Sequence, residues 1–122
     1  MTGDVRDRER LRQAAAGVDA AIHLAALLPP ASERDREATW AINVQGTANL
    51  IAALEGESPN AHLIFSSSVC VYGDTSAAPP PVRVSSPTRA LDLYAESKIE
   101  AERLVMAGSL PYTMLRISGI SV

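Results

Sequence analysis

Three short apolar runs constrain this chain more than any other feature: Asp19-Ala20-Ala21-Ile22-His23-Leu24-Ala25-Ala26, Ala61-His62-Leu63-Ile64-Phe65-Ser66 and Tyr112-Thr113-Met114-Leu115-Arg116-Ile117-Ser118. Each is bounded by turn residues, and the first two are nearly continuous rather than alternating, the pattern of a strand covered on both faces. Helical periodicity fills the gaps between them. Over residues 35–55, Trp40, Val44, Thr47, Ile51 and Leu54 fall on one stripe, and over 90–107 Tyr94, Lys98, Ala101 and Val105 do the same. A shorter helix precedes the first run, with Asp7 as its N-cap, Leu11, Ala14 and Ala15 facing inward, and Gly17 as its stop. Residues 27–34, with Pro29-Pro30, and 75–88, with Pro79-Pro80-Pro81 and Pro87, read as loops. Strands joined through helices require right-handed crossovers and a parallel sheet, so the fold class is α/β.

Bulk properties exclude several function classes. The 122 residues make one domain with a real core, and 47% hydrophobic and 20% charged content is ordinary for a soluble protein. A net charge of −3 gives no electrostatic reason to bind nucleic acid or an anionic membrane. No apolar run approaches a membrane span, and the polar start is unlike a secretory signal, so neither membrane insertion nor export is expected. The single Cys70 cannot form an internal disulfide and fits a reducing cytoplasm, where it reads as a small buried hydrophobe. No metal site is expected, because His23 has no second ligand-type residue at suitable spacing; at a strand end it reads as structural.

The chemistry concentrates in residues 65–98. Ten of the eleven basic residues are Arg, and the only Lys, Lys98, stands four residues after Tyr94. On a helix that spacing stacks the two side chains on one face. A phenol beside an ammonium is a route to a base near neutral pH, since a free tyrosine titrates near ~10 and a neighbouring cation favours its ionised form. A serine cluster, Ser66-Ser67-Ser68, leaves the preceding strand and offers a hydroxyl to polarise a substrate oxygen. Asn43 lies within an apolar stripe and must be hydrogen-bonded, either to the neighbouring strand or to a cofactor.

Six segments, in order, resemble the extended short-chain dehydrogenase/reductases, the NAD-dependent epimerase/dehydratase group. Gly3-Asp4-Val5-Arg6-Asp7 is similar to the segment after the third Rossmann strand, and His23-Leu24-Ala25-Ala26 to the H-x-A-[AG] strand end. Asn43-Val44-Gln45-Gly46-Thr47 resembles N-V-x-G-T, and Ser66 to Gly73 the S-S-x-x-V-Y-G strand exit. Tyr94-Ala95-Glu96-Ser97-Lys98 resembles Y-x-x-S-K, and Leu115 to Gly119 the L-R-x-x-N strand end, with Gly119 replacing the usual Asn. The resemblance implies a Rossmann-like three-layer sandwich of which residues 1–122 hold the second half, strands 4–6, as a partial NAD(P)-binding domain. It implies catalysis by Ser68, Tyr94 and Lys98, and NAD or NADP contacts from Asp4, Val5, Leu24, Ala25, Ala26, Asn43, Ser66, Ser67, Tyr94, Lys98, Ile117 and Ser118. The implied substrate is a nucleotide sugar or related hydroxyl or carbonyl compound. A homodimer contact through helices 35–55 and 90–107 is implied as well.

Two departures qualify that expectation. The seven glycines (3, 17, 46, 56, 73, 108 and 119) include no close pair, so the family's G-x-x-G-x-x-G phosphate loop is absent from this sequence, as is its C-terminal substrate domain. The strand at 19–26 should then form an open sheet edge. Val69-Cys70 stands where 4,6-dehydratases carry Asp-Glu, which leaves epimerase or carbonyl-reductase chemistry. The alternative is a truncated, non-catalytic fragment or interaction module unable to bind cofactor by itself.

Overall fold

The computed structural model describes residues 1–119. Its three strands, β1 (Ala20–His23), β2 (His62–Ser68) and β3 (Tyr112–Ile117), form one parallel sheet in the order β1-β2-β3. Ile22 pairs with Ile64, Ser66 with Leu115, and Ser68 with Ile117. All three carboxyl ends therefore lie along the same side of the sheet. The parallel order expected from the helix-separated apolar runs is the one observed.

Among the described residues one α-helix precedes these strands and four lie between them. In α1 (Arg8–Ala15) the Asp7 side chain accepts from the N–H of Arg10, as a capping aspartate should. Ala15 is buried and Leu11 half-buried, but Ala14 is exposed, contrary to its inward assignment. Residues 27–34 are not wholly loop, since α2 (Ala31–Arg34) forms one helical turn there. The helix expected at 35–55 is a composite of α3 (Arg36–Thr39), a π-helical segment Trp40–Gln45, and α4 (Gly46–Glu57). Asp35 caps its start through the N–H of Ala38. A π segment adds a residue to the turn and is frequent at functional sites. Here it contains Asn43. The helix α5 (Leu93–Ala107) begins three residues later than expected, at its Asp92 cap.

Every element of the core lies on one face of the sheet. Leu63 and Phe65 of β2 pack against Ile51 and Leu54 of α4, Ala101 and Val105 of α5, and Ala15 of α1. The opposite face carries Ile22, Ile64, Ser66, Ser68, Leu115 and Ile117, none of which is buried. The described residues thus supply two layers, helix on sheet. The two-sided burial expected for the first run fails for this reason: Ile22 is 66% exposed and Leu24 69%. Among the described residues β1 pairs only with β2, which leaves the open edge expected for these residues.

After β2 a 3₁₀ turn, Val69–Tyr72, reverses the chain into the proline-rich loop. Only Val71 of that turn is buried; Cys70 is exposed, which corrects its reading as a core residue. The strand ends at Ser68, so Cys70 never enters the sheet. Gly73 takes φ +65°, and a Cβ there would collide with the carbonyl of Arg89. A glycine is required where the loop closes on itself.

Candidate active site at the strand carboxyl ends

Alternation along β2 decides which serines can meet a ligand. Ser67 shares the Leu63–Phe65 face, is buried, and donates its hydroxyl to Glu102 Oε1 at 2.6 Å. Glu102 in turn holds Arg116 through two parallel bonds, Nε to Oε1 at 2.9 Å and Nη2 to Oε2 at 2.8 Å. Ser67 therefore stands in a buried ionic network, away from the open face that carries Ser66 and Ser68.

Tyr94 is the second residue of α5 and is 9% exposed. One turn on, Lys98 is 5% exposed, with its Nζ donating to the Ser66 carbonyl at 2.6 Å and lying 4.6 Å from the centre of the Phe65 ring. The shared stripe predicted from their spacing is realised, and it points Lys98 inward along β2 rather than into bulk water. The Ser68 hydroxyl accepts from the N–H of Cys70 at 3.2 Å. It lies near enough to the Tyr94 phenol to favour phenolate, although no direct hydrogen bond of ordinary geometry joins the two.

Burial dominates the electrostatics of this group. It pushes the Tyr94 phenol up, with the charges of Cys70 and Asp92 adding to that and Ser68 opposing it. Helical spacing alone predicts the reverse, with Lys98 pulling the phenol down; desolvation is instead the largest cause, and Ser68 rather than Lys98 opposes it. Burial likewise lowers the Lys98 ammonium to about 8, opposed by the Glu102 carboxylate. His23 falls to about 4, first through burial and then through the charge of Lys98. The Thr47 hydroxyl, 2.8 Å from His23 Nε2, already donates to the Asn43 carbonyl at 2.7 Å. His23 Nε2 must then carry a proton and donate to Thr47, which fixes the neutral tautomer and a structural role.

Asn43 is 2% exposed. Its Oδ1 accepts from the N–H of Leu27 at 2.7 Å, and its Nδ2 donates to the Leu27 carbonyl at 3.1 Å and to Ser97 Oγ at 3.0 Å. Of the two roles open for Asn43, the structure displays the internal bonds. Leu24, Ala25 and Ala26 follow β1, Ile117 ends β3 and Ser118 follows it, so these five stand at the same carboxyl end of the sheet as Ser66, Ser68 and Tyr94. Asp4 is engaged by Arg6, Val5 packs on Gly46, and the Val5 carbonyl accepts from Asn49 Nδ2.

Three residues without a sequence-derived role contribute to the group. Ser97 donates to the Tyr94 carbonyl at 2.7 Å. Glu102 continues the Tyr94–Lys98 spacing by one further turn, a signal visible in the sequence. Glu33 reaches the start of α5 from sixty residues away, and no local pattern announces it. Beside β3, an open groove of about 1180 Å³ is lined by Val82, Val84, Met106 and Leu115 and reaches Cys70 and Ile117 at the site. No group of three metal-ligating side chains occurs among the described residues, and none of their helices is long and apolar enough to cross a membrane.

A one-way parallel sheet with Ser68, Tyr94 and Lys98 gathered toward the strand carboxyl ends defines a protein of the Rossmann-like α/β class. The sequence pattern of the NAD dependent epimerase/dehydratase family matches residues 1–120, and the chain belongs to that family. It is 37% identical over 107 residues to the N-acetyl-alpha-D-glucosaminyl-diphospho-ditrans,octacis-undecaprenol 4-epimerase of Escherichia coli O157:H7, covering 84% of this chain and 30% of that protein. Among solved structures, RMD from Pseudomonas aeruginosa complexed with NADPH superposes with a TM-score of 0.88 at 28% identity, over 98% of this chain and 42% of the other. UDP-glucose 4-epimerase from Brucella ovis in complex with NAD gives 0.84 at 29% identity, over 95% and 37%. The chain spans about a third of the length of the curated relatives it matches.

Proposed function

We propose that this chain carries the acid–base part of an NAD(P)-dependent oxidoreductase or epimerase acting on a nucleotide sugar or related hydroxyl or carbonyl compound. The observation that carries this reading is Lys98: a lysine amine buried against Phe65 at a strand end, one helical turn from a buried phenol. An unpaired buried ammonium is costly, and such groups concentrate at functional sites. The open backbone at Leu24–Ala26 and the inward amine of Lys98 fit a dinucleotide lying across the strand ends, which when bound supplies the hydride acceptor. Lys98 would hold its ribose hydroxyls. Tyr94 would take the proton from the substrate hydroxyl, and Ser68 would hydrogen-bond the same oxygen. Asn43 and Ser67 act in this reading by holding α5 and β2, not by touching cofactor. A homodimer contact through the two long helices belongs to the same proposal, and sizing chromatography measures it.

The test is Tyr94→Phe in a protein of full family length. Turnover should vanish while cofactor binding persists; near-normal turnover would overturn the assignment. One observation favours a second reading for the 122 residues taken alone. With no close glycine pair to let the backbone approach a pyrophosphate, they should bind NAD(H) weakly or not at all. Micromolar affinity by calorimetry would refute that.

A further inference from the structure

The start of α5 is held by a carboxylate that does not belong to α5. Glu33 Oε1 accepts from the N–H of Leu93 at 2.7 Å, and its two oxygens lie 3.4 and 3.3 Å from the N–H of Tyr94. Asp92 already accepts from the N–H of Ala95, so the helix has its own local cap. Glu33 is therefore an addition, and it arrives on a braced segment. Asn43 bonds both backbone groups of Leu27; the Ser32 N–H donates to the Leu28 carbonyl, the Thr39 hydroxyl donates to the Ser32 carbonyl, and the Ser32 hydroxyl donates to Glu33 itself.

The peptide groups around Tyr94 are thereby gripped from two sides. Its N–H faces Glu33. Its carbonyl accepts from Ser97 Oγ, which is held by Asn43 Nδ2. Both arms trace back to the segment that follows β1. We propose that Glu33 is a positioning residue for Tyr94, which it fixes relative to the strand ends by closing the first N–H groups of α5. The geometric claim stands by itself; its relevance to catalysis rests on the proposed role of the phenol.

The test uses this chain with ¹³C-labelled tyrosine. The Tyr94 Cζ resonance is assigned through Tyr94→Phe and followed against pH in the parent, Glu33→Gln, Glu33→Ala and Asp7→Ala. Removing the carboxylate leaves the N–H groups of Leu93 and Tyr94 without their partner from the segment after β1. The Tyr94 resonance and midpoint should then move away from those of the parent in both Glu33 variants. The other groups around the phenol are untouched by the substitution: Cys70 and Ser68 from the β2 exit, Asp92 and Lys98 from α5, and His23 behind Lys98. Glu33→Gln keeps an acceptor oxygen and should hold the Tyr94 resonance closer to the parent than Glu33→Ala does. Tyr72 and Tyr112 should not move, and Asp7→Ala, which removes the cap of α1, should leave Tyr94 unchanged. An unaltered Tyr94 resonance and midpoint in both Glu33 variants, or an equal change in Asp7→Ala, would overturn the proposal. None of these readouts requires turnover, so failure of the catalytic reading is seen separately.

Discussion

Replacing Lys98 by methionine should stabilise the chain at neutral pH while deleting its most distinctive polar group. The amine lies beneath the start of α5 with a single hydrogen-bond partner, the Ser66 carbonyl, and a ring face for its other contact. A lysine lowered from 10.5 to about 8 has its charged form disfavoured in the fold by about 3 kcal/mol relative to the unfolded chain. Methionine has a similar length and no charge, so this penalty disappears. It also loses the bond to Ser66, about 1 kcal/mol, and the contact of the cation with Phe65, about 0.5–1 kcal/mol. The balance is a gain of about 1–2 kcal/mol at pH 7. The pH dependence follows from proton linkage. Between about 8 and 10.5 the unfolded chain binds more protons at this site than the folded one, so parent stability rises with pH across that window. Above it both forms are neutral and the advantage of methionine is gone. Urea unfolding of both proteins at pH 7 and near pH 10 reads the difference directly. If Lys98→Met is less stable at pH 7, or if the difference does not shrink with rising pH, the amine is not held at a cost and the main support for a functional lysine is lost.

Two further outcomes follow from buried charge. His23, lowered to about 4 against an ordinary 6.5, contributes stability that is fully present above pH 6.5 and lost as pH falls through 4, about 3 kcal/mol in all; urea midpoints should fall across that window, and the step should be absent in His23→Gln. Arg116→Met leaves the buried Glu102 carboxylate without its cation and should cost about 3–5 kcal/mol by urea unfolding, whereas Glu102→Leu combined with Arg116→Met should cost less than the single change. Equal losses in the single and double variants would show that the pair is not what holds β3 to α5.

The elements that the sequence made legible are those governed by local rules. Asp7 caps the helix it precedes, and the stripe from Tyr94 to Val105 is buried as its period requires. What was not legible depends on what lies across the sheet or far along the chain. Ile22 and Leu24 look like core because apolar runs do not reveal how many layers surround a strand. The π turn at Trp40–Gln45 keeps helical periodicity closely enough to hide in it. At the site, spacing paired Tyr94 with Lys98, yet the sign of the phenol shift turned on burial, which no spacing encodes. Ser67 shows the same limit in miniature: three consecutive serines look equivalent until the pleat sends the middle one to Glu102.

The uncovered side of the sheet has a consequence for handling the protein. Ile22 and Leu115 lie on that flank, and among the described residues both outermost strands offer unsatisfied ladder groups to any neighbour of matching geometry. Warm, concentrated samples of these 122 residues alone should therefore turn cloudy through strand-to-strand recruitment before their helices melt. Mild detergent, or a lysine in place of Ile22, should delay the clouding without altering the packed side.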